Sequence, residues 1–116
     1  MTLAFSSHLI NSSAESSAVE AKFHKFVQAD LNKILSDYSL ISPQLEDDFY
    51  NEFMTEIEKA IANPQFNHFD ACGLRRANFN RFPFHFLYDV GADSIRIWVL
   101  RHHKRRSSFG IKRFRS

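Results

Sequence analysis

The strongest constraint on how this chain folds is a change of hydrophobic period part-way along it. Leu31, Ile34, Leu35, Tyr38 and Ile41, then Leu45, Phe49, Phe53, Ile57 and Ile61, recur at helical spacing. From Leu74 onward the period becomes two. Phe82, Phe84, Phe86, Tyr88 and Val90 fall on one face of a strand, with His85, Leu87 and Asp89 on the other. After a turn at Gly91-Ala92-Asp93, Ile95, Ile97 and Val99 alternate with Arg96, Trp98 and Leu100. Periods of about 3.6 and 2 belong to different elements, so helices come first and a strand hairpin follows.

Local signals set the boundaries. The Phe- and Val-rich segment 22–27 (KFHKFV) reads as a first strand, and a helix is expected over about 28–40. Ser42-Pro43 has the form of an N-cap with proline at the first helical position. Glu46, Asp47 and Asp48 put negative charge where the helix dipole favours it. Asn63-Pro64 ends this second helix. Its acids read as a solvated face. Residues 65–73 form a loop, and Leu74 to Phe79 reads as a strand. The order β-α-α-β-β-β specifies a two-layer α+β domain, a helix hairpin packed on a small, mainly antiparallel sheet. The aromatic row from Phe82 reads as core, packed on the helices. The opposite face of the sheet is expected to be open and, with the basic tail HHKRRSSFGIKRFRS, to carry function. The serine-rich residues 1–20 read as a flexible extension, and residues 21–116 as a single domain.

Composition excludes several classes. A single cysteine, Cys72, rules out an internal disulfide framework and a multi-cysteine zinc site, and makes the cytoplasm the expected compartment. No apolar run is long enough to cross a bilayer, no secretory signal is evident, and no membrane role is expected. The formal net charge of +2 conceals a segregation. Residues 1–70 hold four lysines against eleven acids, a net of −7, while residues 71–116 hold eleven Lys or Arg against two acids, a net of +9. Nine of those eleven are Arg, the side chain suited to forked contacts with phosphate or carboxylate. Such asymmetry points to an anionic partner for one surface.

The residues that could carry chemistry lie in this basic half. No glycine-rich phosphate loop, nucleophile elbow or metal-ligand spacing occurs, and neither metal nor cofactor is expected. Arg75, Arg76, Arg81, Arg96, Arg101, His102, His103, Lys104, Arg105 and Arg106 can converge at one end of an antiparallel sheet. Cleavage of RNA by its own 2′-hydroxyl needs only a proton carrier and charge stabilisers. His103 or His102 could supply the first, and Arg81, Arg101 or Arg105 the second. A cluster that only binds a nucleic acid or an acidic protein fits the same residues.

The chain also resembles the RelE/ParE superfamily of type II toxin–antitoxin toxins. The resemblance rests on VQADLNKIL (27–35), IANP (61–64), GLRRANFNRFPFHFLYDV (73–90) and IRIWVLRHHKRR (95–106), in that order. It implies a small cytoplasmic toxin neutralised by a cognate antitoxin protein. RelE-like members cleave mRNA on the ribosome, whereas ParE-like members poison DNA gyrase. It implies basic clamp positions at Arg75, Arg81 and Arg101 and a recurring last-strand histidine at His103; catalytic roles are expected of His103, Arg81 and Arg101, and phosphate contacts from Arg75, Arg76, His102, Lys104, Arg105 and Arg106. The late tyrosine of several nuclease members is absent here, Phe109 being the nearest aromatic. Ribosome-bound mRNA and gyrase both stand as targets, beside a non-catalytic nucleic-acid- or antitoxin-binding member of the same fold.

Overall fold

A computed structural model of the protein describes residues 20–115. The expected extension over 1–20 lies, but for Glu20, outside the described residues. The elements are β1 (Glu20–Phe23), α1 (Val27–Ser39), α2 (Pro43–Ala62), β2 (Arg75–Asn78), β3 (Phe84–Val90), β4 (Ser94–His102) and a short α3 (Ile111–Arg115). The four strands lie in the order β1-β4-β3-β2. β1 runs parallel to β4, and the other pairs are antiparallel. This is the two-layer α+β arrangement that the change of period specifies.

Chain chemistry at the helix starts differs between the two helices. Ser42 is extended and its Oγ accepts the Gln44 N–H at 3.1 Å, with Pro43 opening α2. Before α1 the work is done by His24. Its own N–H still pairs with the Ile97 carbonyl at 2.8 Å. Its Nδ1 then accepts the Phe26 N–H at 3.2 Å and its carbonyl accepts the Val27 N–H at 2.9 Å. The expected strand over 22–27 therefore stops at Phe23 and turns directly into the helix.

The helix layer and the sheet meet in an aromatic core. Phe49 is fully buried, with the rings of Phe79 and Phe84 at 5.0 Å, Phe82 at 5.2 Å and Tyr38 at 5.7 Å. Tyr88 is also fully buried; its hydroxyl donates to the Pro64 carbonyl at 2.8 Å and accepts from Asn67 Nδ2 at 3.1 Å. That pair of bonds fastens the segment after α2 to β3.

β4 departs from strict alternation. Leu87 pairs with Val99 and Tyr88 with Ile97, so Trp98 is an extra residue in β4, a β-bulge. Ile95, Ile97 and Leu100 face the helices, whereas Val99 joins Leu74, Leu87 and Ile111 in a second cluster on the outer face. The expected grouping of Val99 with Ile95 and Ile97 is thus corrected. A bulge moves every later side chain to the other face.

The outer face is likewise not open along its whole length. The chain after His103 folds back over it, and Trp98, Phe109 and Phe114 pack against the second cluster. Arg113 grips Asp30 of α1 through two bonds of 2.7 and 3.1 Å and donates to the Trp98 carbonyl at 3.1 Å. The crossing requires Gly110, whose φ is +81° and whose Cβ, if present, would lie 2.5 Å from Val99 Cγ2. Gly110→Ala is expected to lower stability by about 1–3 kcal/mol in urea denaturation. Gly73, at φ +95° but with open space around it, is expected to lose no more than about 1 kcal/mol on the same change.

Candidate functional site

Of the basic residues expected to converge, Arg96 lies apart, beside Lys22 on the β1–β4 half of the sheet, and the rest divide into three groups. Only one forms a connected cluster, at the end of the outer face where β2, β3 and the exit of β4 meet. Its centre is His85 of β3, 1 % exposed, opposite Arg101 of β4, 4 % exposed. Arg101 Nε donates to His85 Nε2 at 3.0 Å, and its Nη1 donates to the carbonyls of Ser107 and Phe109 at 2.8 and 3.0 Å. His85 Nδ1 lies 2.9 Å from His103 Nδ1. Arg76 of β2 reaches the same His103 nitrogen from Nη2 at 3.2 Å and contacts Asp70 from Nη1 at 3.4 Å. Asp70 Oδ2 also lies 3.9 Å from Arg101 Nη2.

Donor chemistry fixes the proton positions. An arginine Nε always carries its hydrogen, so His85 Nε2 is an acceptor and Nδ1 bears the proton. His85 Nδ1–H then donates to His103 Nδ1, which also accepts from Arg76. The His103 proton is left on Nε2, on an exposed ring and with no partner among the described residues. The chain of donors therefore runs outward from a buried guanidinium to a surface N–H.

Electrostatics favours this arrangement. Burial, then the charges of Arg76 and Arg101 and the nearby His103, holds His85 down to about 3. Burial, then Arg76 and His102, also lowers His103. Burial works to raise Asp70, but hydrogen bonds from Arg76 and Cys72 and the charge of Arg101 outweigh it and leave the carboxyl below its ordinary value. A stability consequence follows for His85. The unfolded chain takes up a proton near pH 6.5, while the folded chain refuses it until about 3. Its contribution is full above 6.5 and is lost as pH falls from there toward about 3, with a slope of up to ~1.4 kcal/mol per pH unit. Urea midpoints of wild type and His85→Asn, taken across this window, are expected to show a flatter profile in the variant.

The second group is engaged elsewhere. Arg75 shares the helix-side face of β2, stacks over Phe69 at 4.2 Å and donates to the carbonyls of Asn67 and Gln65 at 2.7 and 3.1 Å. Arg81 pairs with Asp48 of α2 at 2.7 Å, and its backbone N–H, with that of Asn80, bonds Glu52. No hydrogen bond or ion pair joins Arg81 to the His85–His103 cluster among the described residues. The third group is at the end of β4 and beyond it, with Lys104, Arg105 and Arg106 exposed and His102 half-buried. His102 turns to the helix side against Phe84, ring centroids 4.9 Å apart, and its Nδ1 accepts the Lys104 N–H at 2.9 Å. His102 and Arg105 border a cavity of about 310 Å³ beside Asp30, Asp37 and Phe109. Lys104, Arg105 and Arg106 have no carboxylate partner among the described residues.

Two members of the cluster, His85 and Asp70, escape a reading by motif. His85 had a signal, its place opposite the aromatic row of β3, but its partner depends on the bulge in β4. Among the described residues no group of three or more His, Cys, Asp or Glu could hold a metal ion. Nor is any helix there long and apolar enough to cross a membrane.

No family model matches the sequence, and no curated protein matches it. Among solved structures, a chain of the chromosomal ParDE TA system from P. aeruginosa superposes with a TM-score of 0.64 at 22 % identity, covering 75 % of this chain and 98 % of its own length. The fold is RelE/ParE-like. At that identity the likeness is one of fold. In this RelE/ParE-like fold, the helix hairpin covers one sheet face, and the Arg76–His85–Arg101–His103 cluster occupies the other.

Proposed function

We propose that this protein is the toxin of a toxin–antitoxin pair, and that it acts by gripping its target, DNA gyrase, rather than by cutting RNA. The toxin reading is carried by the extent of the structural match, which takes in 98 % of a ParDE chain. The choice of mechanism is supported by the direction of the donor chain. With Arg101 Nε on His85 and His85 on His103, His103 offers a proton donor to a ligand and has no lone pair free to remove a 2′ proton. Arg81 is neutralised by Asp48, and Arg101 is enclosed by backbone carbonyls. The exposed set is thus a group of donors suited to carboxylate or phosphate.

RNA cleavage keeps one supporting observation. A neutral, exposed imidazole stands 3.2 Å from a guanidinium, and a phosphate drawing Arg76 away would loosen that contact. The two mechanisms separate in purified systems. Full-length protein is expected to inhibit gyrase supercoiling with no ribosome present and to leave mRNA intact in a cell-free translation extract. His103→Ala is expected to weaken that inhibition about tenfold, the loss of one well-placed hydrogen bond. Ribosome-dependent mRNA cleavage with supercoiling unaffected would replace this mechanism. Induction without any growth arrest would remove the toxin reading itself. The cognate antitoxin is expected as the product of an adjacent reading frame, and co-expression should restore growth.

A further inference from the structure

A second cationic surface lies on the β1–β4 half of the outer face, away from the His85 cluster. Several other basic side chains are neutralised: Lys33 by Asp37, Lys59 by Glu56, Arg81 by Asp48 and Arg113 by Asp30. Lys22, Lys25 and Arg96 are exposed, and none has a carboxylate within ion-pair distance among the described residues. Lys22 and Arg96 are direct neighbours in the register of β1 and β4. Unpaired charges at this spacing repel each other unless an anion sits over them.

The same surface carries rings. Phe26 is 50 % exposed, an unusual place for a phenyl group in front of a helix. Its centroid lies 5.4 Å from His24, whose ring lies 5.6 Å from Trp98. Lys25 stands over Phe26 at 5.3 Å and Arg96 over Trp98 at 5.5 Å. The indole is held in orientation, since its Nε1–H donates to Asp89 at 3.1 Å and Phe114 packs edge-on at 5.5 Å. The acids at this face are Asp89, which holds Trp98, Glu20 at the start of β1, and Asp30, which pairs with Arg113, itself over the Phe26 ring at 5.5 Å. Burial, then Arg113 and Lys25, lowers the His24 pKa, so His24 contributes a ring and no charge.

We propose that this surface binds single-stranded nucleic acid, with Phe26 and Trp98 as the stacking platform and Lys22, Lys25 and Arg96 as phosphate contacts. Flat rings beside unpaired cations, on β1, β4 and the turn before α1, meet both halves of a nucleotide. An acidic peptide would use the cations and leave the rings idle. A duplex keeps its bases stacked on one another and out of reach. The inference is independent of the gyrase reading and concerns a different half of the sheet.

Trp98 is the chain's single tryptophan, so its fluorescence reports on the surface directly. Full-length protein titrated with short oligo(dT) is expected to show saturable quenching, with affinity falling steeply as salt rises. The double variant Lys22→Glu/Arg96→Glu should weaken binding at least about tenfold. Phe26→Ser should weaken it about 5- to 100-fold, while Lys59→Ala, which removes a cation of the helix layer, leaves it unchanged. The three altered positions Lys22, Arg96 and Phe26 are exposed, and a native-like circular dichroism melt checks that each variant is folded. The proposal is overturned if oligo(dT) causes no quenching, or if the charge-reversed variant binds as well as wild type. It is also overturned if a duplex or poly-glutamate quenches equally well, which would identify a purely electrostatic surface.

Discussion

Arg101→Met is expected to lower the stability of the protein by about 3–5 kcal/mol, the cost of breaking a buried charged network on one side. Methionine fills much of the volume but supplies no donor. The carbonyls of Ser107 and Phe109, His85 Nε2 and Asp70 all lose a partner together. The loss reaches beyond stability. Without Arg101 Nε, nothing dictates which His85 nitrogen carries the proton, and His103 loses its fixed donor. Denaturation in urea measures the first effect. Nitrogen chemical shifts of the two histidine rings measure the second, with wild type expected to show the Nδ1–H form of His85 and the Nε2–H form of His103. A stability change below about 1 kcal/mol would show that this network is not what anchors the outer face.

Phe49→Ala should cost a similar amount, about 3–5 kcal/mol, for a different reason. The ring is fully buried and meets Tyr38, Phe79, Phe82 and Phe84 within 5.7 Å. Those partners come from α1, β3 and the loop before β3, so they cannot collapse together into the space left. Phe49→Leu, which keeps most of the volume, is expected to lose less than half as much. A far-ultraviolet thermal melt compares the two, and equal losses would mean that ring geometry, not volume, governs this core.

Much of the fold was legible because its signals are local. Ser42-Pro43 and Asn63-Pro64 mark the ends of α2 with side chains that act within one turn. The aromatic row of β3 names its own buried face. The start of α1 was less legible, since His24 both continues the β1 pairing and caps the turn that ends it. The candidate site was legible as a list and not as a structure. Arg76, Arg101 and His103 were foreseeable, but His85 and Asp70 joined them only through pairings of 16 and 31 residues in sequence separation (His85 to Arg101, Asp70 to Arg101). Arg81 and Arg75 carry the same charge as the clustered arginines and are consumed by Asp48 and by loop carbonyls. Type and position along the chain do not distinguish an arginine that supports a loop from one that faces a ligand.

The extra residue at Trp98 gives β4 two halves that obey opposite parity rules. Upstream of it, odd-numbered positions face the helices; downstream, even-numbered ones do. Substitution within either half alters one contact, whereas removal of Trp98 itself would leave a regular strand, with Leu87 still opposite Val99 and every later residue on its present face. His85 would still face Arg101, and a single parity rule would run the length of the strand. Against a chain whose strand lacks the extra residue, a sequence comparison needs a one-residue gap at Trp98; without that gap the site's arginine would align with a core position.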